Sequence, residues 1–224
     1  EWQLFDGTQV LVPAGFTTEA DANGDILLYP EGDRSVPPSG RMPKGGFYFD
    51  SIVRQPPVDE ARLDPEDNLE EFAPISDDDL AYLAAEARRL AATGRAIFAN
   101  FGGTAFGDIA LVPAPWLKRP KGIRDVEEWY VSTATRRDYV YRVFERQCEI
   151  GLANLAKIHA AVGDLVSAVF VTGTDFGTQN GPFIAPAAYR DLYLPFHRAV
   201  NDWVHAHTRW KTFIHSCGSV VRLL

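Results

Sequence analysis

The run L-V-S-A-V-F-V-T-G at residues 165–173, with T-D-F-G-T-Q-N-G-P-F-I-A at 174–185 and W-K-T-F-I-H-S-C-G at 210–218, decides the fold. Residues 165–173 are almost continuously apolar with no polar alternation, which is the pattern of a strand covered on both faces in a parallel sheet. A loop over 174–185 follows. Pro186, well suited to a first helical turn, then opens a helix expected to reach about Thr208 with a kink at Pro195. Trp210–His215 returns as a strand. Working back towards the N-terminus, Gly163 stops a helix over about 135–162, which carries Tyr139, Val143, Phe144, Ile150, Leu155 and Ile158 on one stripe. Asp125 and Glu128 form a capping pattern ahead of it, after a long connection to Gly122. Before that, Arg95–Phe101 reads as a short buried strand ending in Gly102-Gly103. Ser76 and Asp79 form a capping box for a helix through Leu80, Leu83, Ala87 and Leu90, stopped at Gly94. Strands alternating with long helices predict βαβ units.

The first sixty residues have a different rhythm. Asp6-Gly7 separates Trp2–Phe5 from Thr8–Val12, and Asn23-Gly24 separates Phe16–Asp21 from Asp25–Tyr29. Both dipeptides suit the positive φ angles of tight hairpin turns. Glu31–Lys44 is rich in Pro and Gly and reads as a loop, and Gly45–Val53 as a further strand. The expected organisation is therefore a hairpin-rich segment over 1–60 and a βα-repeating region over 61–224. Because the alternation breaks off just after a strand, and eight βα units take about 250 residues, the second region is expected to be an incomplete piece of a (β/α)8 barrel.

Composition narrows the class of function. The 224 residues are 46% apolar and 23% charged, with a net charge of −8. Such a chain is globular, and its negative surface argues against nucleic acid or an anionic membrane as partner. No apolar run approaches the ~20 residues of a spanning helix. No charged-then-apolar signal segment follows Glu1, and the chain has only two cysteines. These features predict a cytoplasmic location without a disulfide framework.

Reactive groups in α/β barrels project from the C-terminal ends of strands. Three such ends are legible: Asn100–Thr104, Gly173–Asn180 and His215–Gly218. His215 and Cys217 are two residues apart, so on extended backbone both side chains leave one face, and an imidazole with a thiolate is half of a zinc site. The short spacing is also compatible with a core cysteine beside an unrelated histidine. Asp175 follows its strand and is the expected catalytic carboxylate, orienting His215 or hydrogen-bonding substrate; a turn cap is the alternative. Gln179, Asn180 and Asn100 are candidate substrate contacts. The glycines 102, 103 and 107 lack the Lys-Ser/Thr of a phosphate loop and read as a turn. Cys148 reads as helix core. His159, His205 and His207 lie at helix C-termini, where a partial positive charge is favourable. Tyr189, Tyr193, Phe196 and Trp203 read as packing residues.

V-T-G-T-D-F-G-T-Q-N-G-P-F-I-A-P, then Y-R-D-L-Y-L-P-F-H, then W-K-T-F-I-H-S-C-G-S, within 171–220, resemble the uroporphyrinogen decarboxylase superfamily. In it, an Asp-bearing strand end leads to a Ser/Ala-Pro helix start, an aromatic-rich helix and another strand. The resemblance covers about Arg95 to the end and implies a TIM-type barrel. His-x-Cys-Gly at the last strand resembles the cobalamin-dependent methyltransferase branch, in which a downstream Cys is the third zinc ligand; here that ligand is expected beyond Leu224. The implied activity is zinc-dependent methyl transfer between a corrinoid on a partner protein and a thiol or methylated small substrate, in either direction. The decarboxylase branch, acting on a porphyrinogen without metal, is the alternative, although it lacks the His-x-Cys pair. A non-catalytic binding member of the fold is a third reading.

Overall fold

The computed structural model describes residues 1–223 of the chain. It is a mixed α/β structure with two compact units, one formed by Glu1–Asn68 with Ala110–Trp129 and the other by Leu69–Ile109 with Tyr130–Leu224.

The first unit is antiparallel. β1 (Trp2–Gln3) and β2 (Gln9–Val10) pair around Asp6-Gly7, and β3 (Thr17–Ala20) pairs with β4 (Ile26–Tyr29) around Asn23-Gly24. Gly7 and Gly24 have φ of 90° and 83°, the positive angles that both hairpins require. The Pro/Gly-rich stretch after Glu31 is not all loop. β5 (Gly40–Met42) pairs with β4, and β6 (Asp50–Ser51) pairs with β5 and is much shorter than Gly45–Val53. Three residues carry too little alternation for β5 to be read among prolines. Its place is set by pairing, with Arg41 salt-bridged to Asp25. Asn68 joins the returning segment to this unit: its Nδ2 donates to the Ile123 carbonyl and its Oδ1 accepts the Ile123 N–H, each at 2.8 Å.

The second unit holds the βα repeats. α1 (Asp77–Ala91) starts where Ser76 Oγ accepts the Asp79 N–H at 3.1 Å, as the capping box predicts. β7 (Phe98–Ala99), α2 (Val126–Thr135), α3 (Arg137–Val162) and β8 (Ala168–Thr172) follow. After them come α4 (Pro186–Leu192), α5 (Leu194–His207) and β9 (Lys211–Ile214); the first turn of α2, up to Trp129, belongs to the first unit. The expected kinked helix is two helices. Pro195 has no N–H for the carbonyl of Asp191, so the chain breaks at Tyr193 (φ −107°) and restarts with the proline in the first turn, where no donor is needed.

β7, β8 and β9 form one parallel sheet in sequence order, and among the described residues they do not close into a barrel. Phe98 lies opposite Ala168, and Phe170 opposite Phe213; an irregularity between Phe170 and Thr172 lets Thr172 pair with Ile214. Alternation divides the faces. Val169 and Val171 are buried on the side where α5 packs. Phe98, Phe170 and Phe213 cluster on the other, with centroids 5.3–6.3 Å apart, and Phe98 and Phe213 are 56% and 49% exposed. The helical core gathers Phe106, Phe144, Tyr193 and Phe196. Trp210 is buried, its Nε1 donating to the Gly163 carbonyl at 3.0 Å. Cys148 is buried within α3, where burial pushes its thiol up to about 11.

Candidate metal centre

The strand ends position the site. β9 stops at Ile214, and the His215 N–H donates to the Thr172 carbonyl at 3.0 Å, so the loop leaves in register with the end of β8. His215 and Cys217 lie beyond the end of β9, and their side chains converge there. Nε2 of His215 lies 3.2 Å from Sγ of Cys217. Asp175, three residues past β8, comes to the same place. Its Oδ1 accepts the Cys217 N–H at 2.6 Å and lies 3.8 Å from His215 Nε2. Donor atoms of the three side chains all lie within 4.8 Å of one another. Both cysteines are free thiols, and Cys217 is exposed. The Asp175 carboxylate beside it raises the Cys217 thiol above its ordinary value.

The two loops are joined along their backbones. Gly177 N–H donates to the Cys217 carbonyl at 3.1 Å, Ser219 N–H to the Thr178 carbonyl at 2.8 Å, and Phe176 N–H to Ser216 Oγ at 3.0 Å. At the crossing, a Cβ on Gly218 (φ 82°) would sit 2.2 Å from the Gly177 carbonyl oxygen, and one on Gly177 would sit 2.6 Å from the Ser219 nitrogen. No side chain fits there. Beneath the loops a threonine chain ties down the end of β8: Thr172 and Thr174 hydroxyls are 2.8 Å apart, Thr174 Oγ1 donates to the Phe106 carbonyl at 2.9 Å, and Thr104 Oγ1 donates to the Val171 carbonyl.

The other expected site residues are not part of the donor cluster. Gln179 and Asn180 are exposed at the tip of a tight loop closed by the Thr178 N–H donating to the Gly181 carbonyl. Asn100, just past β7, turns on itself: Oδ1 accepts the Gly102 N–H at 3.1 Å. The expected third ligand downstream lies outside the described residues. Sequence reading misses Tyr130, whose half-buried hydroxyl is 3.5 Å from the Asp175 carbonyl, and Ser216. It also misses His197, which is buried against the rings of Phe106, Phe176 and Tyr193. His197 Nδ1 lies 3.2 Å from the Tyr189 hydroxyl, and burial lowers its imidazole to about 4. Ring partners as far off in sequence as Phe106 and Phe176 leave no local pattern.

The donor set suits zinc. Tetrahedral zinc, with bonds of about 2.0–2.3 Å to N, O and S, holds its ligand atoms roughly 3.4–3.6 Å apart. The 3.2 and 3.8 Å separations around His215 Nε2 bracket that range. Fold and donors together define an α/β chain with an imidazole–thiol–carboxylate cluster at the ends of adjacent parallel strands. No family model matches the sequence, and no curated protein and no solved structure matches it either. The superfamily resemblance therefore rests on the motif residues themselves.

Proposed function

We propose that the chain is a zinc-dependent methyltransferase of the uroporphyrinogen decarboxylase type, moving a methyl group between a corrinoid on a partner protein and a small thiol or methylated substrate. In this reading β7–β9 are one arc of a (β/α)8 barrel and the Phe98–Phe170–Phe213 face lines its interior. An uncovered aromatic face is unusual for a parallel sheet and supports that assignment. The observation that carries the function is the convergence of His215 Nε2, Cys217 Sγ and the Asp175 carboxylate at two neighbouring strand ends.

His215 and Cys217 would hold the ion. When bound, it would act as a Lewis acid that lowers the pKa of a thiol or polarises a methylated heteroatom. The chain's own residues supply the rest. Half of His215 is open to solvent, which leaves room for a small substrate on the outer side of the cluster. Backbone bonds between the two loops fix the side chains before substrate arrives, which limits the reorganisation left to the reaction. Gln179 and Asn180, at their exposed tip, would contact substrate from the rim; Asn100 would do so from the end of the neighbouring strand.

Activity is testable with methylcobalamin standing in for the partner's corrinoid and 2-mercaptoethanol as thiol. The zinc-loaded chain is expected to speed demethylation, followed by the cobalamin spectrum, over zinc and thiol alone. Cys217→Ala should abolish that acceleration. Turnover that is equal with and without Cys217, or a porphyrinogen decarboxylation that needs neither His215 nor Cys217, would overturn the reading.

A further inference from the structure

We infer that Asp175 is the third protein ligand of this centre, so that its carboxylate oxygen, imidazole nitrogen and thiolate are all supplied by residues 175–217, with the Gly177–Gly218 backbone crossing as the template that sets their spacing. The inference rests on the metal reading proposed above but goes beyond it, since the family resemblance places the third ligand in a downstream cysteine.

Two roles are open to a carboxylate beside a metal-binding histidine. An orienting carboxylate hydrogen-bonds the ring nitrogen that does not bind the ion. Asp175 approaches the other one: its Oδ1 lies 3.8 Å from Nε2, the same nitrogen that faces Cys217 Sγ at 3.2 Å. At that distance there is no hydrogen bond between them. The separation is a few tenths of an ångström longer than that of two ligands on one tetrahedral ion, a gap that a small side-chain rotation closes. Oδ1 is also held, because it accepts the Cys217 N–H at 2.6 Å, which fixes the carboxylate against the residue that carries the thiol.

The glycine crossing makes this spacing a property of the backbone. With Gly177 donating to the Cys217 carbonyl, and each glycine filling the space a side chain on the other would need, the segment bearing Asp175 cannot move away from the segment bearing Cys217 unless the crossing opens. One thiolate and one carboxylate balance the charge of a divalent ion, and a neutral imidazole leaves a fourth position for substrate. A mixed N, S and O set of this kind selects zinc or cobalt(II) over magnesium or calcium, which require oxygen donors.

Cobalt(II) titration of the chain reads the ligand set directly, without any turnover. The wild type is expected to bind one cobalt per chain, with a thiolate-to-cobalt charge-transfer band and tetrahedral ligand-field bands. Asp175→Ala should weaken binding by about 100-fold or more and alter the ligand-field bands, whereas Asp175→Glu should recover most of the affinity. Asp175→Asn keeps an acceptor for the Cys217 N–H, so the loop is retained, and should still lose the wild-type bands. Gly177→Ala keeps all three ligands and should lose about 10- to 100-fold in affinity. If Asp175→Ala and Asp175→Asn bind cobalt as tightly as wild type with unchanged bands, Asp175 is not a ligand and the His215–Cys217 reading stands without it. If the wild type gives no thiolate–cobalt band, both fall.

Discussion

His197 shows how strongly one side chain can tie stability to pH. It is 3% exposed among aromatic rings, and among the described residues its Nε2 has no hydrogen-bond partner. Burial favours the neutral imidazole, lowering it from 6.5 to about 4. The unfolded chain therefore binds a proton at this residue below about pH 6.5, while the folded chain does so only near pH 4. The stability that depends on a neutral His197 is complete above about 6.5 and is lost as pH falls from there towards 4. The loss amounts to up to about 3 kcal/mol, at 1.36 kcal/mol per pH unit. Urea denaturation across this range should show the decline in wild type and a flatter profile in His197→Gln; parallel profiles would contradict the assignment. His197 shares a helical stripe with Tyr193, Val200 and Val204, which marks its face, but its packing against Phe106 and Phe176 follows from tertiary contacts that no local pattern contains. His215 and Cys217 were legible because their two-residue spacing is a local geometric fact. Asp175 was legible as a strand-end acid, but its place beside Cys217 follows from the register of β8 on β9, which no single-strand pattern contains.

At the scale of elements, boundaries written in side-chain chemistry are the ones the structure keeps. Ser76 and Asp79 satisfy each other across the first turn of α1: the Ser76 hydroxyl accepts the Asp79 N–H and donates to its carboxylate at 2.6 Å. Ser76→Ala should cost about 1 kcal/mol of stability, measured by thermal or urea unfolding. A change under a few tenths would mean that tertiary packing, not the cap, fixes the start of α1. The Asp6-Gly7 and Asn23-Gly24 turns were equally legible, since each asks for positive φ. The elements that differ were decided by partners. β7 is only two residues long because it exists as a pairing with Ala168 and Val169, and β5 because Ile26–Leu28 offer it an edge. Leu165, the first residue of the run that reads as one long strand, 165–173, ends a 3-10 turn at Gly163–Leu165, and β8 begins only at Ala168.

For the whole molecule, the βα rhythm correctly announced a parallel sheet in sequence order, with an antiparallel hairpin region ahead of it. What the rhythm did not reveal is that Ala110–Trp129 belongs with the hairpins, since a segment that returns to an earlier unit carries no periodicity of its own. The sheet buries its valines on one face and leaves three phenylalanines on the other, and Asp175, His215 and Cys217 stand at its C-terminal end. No helix among the described residues is long and apolar enough to cross a membrane. The proposed function depends at this scale on whether the strand ends hold an ion. Metal analysis of the chain purified without chelators, with His215→Ala and Cys217→Ala alongside, answers that. One zinc per chain in the wild type and almost none in either variant is the expected result. Zinc that is absent from the wild type, or equal in all three proteins, would contradict it.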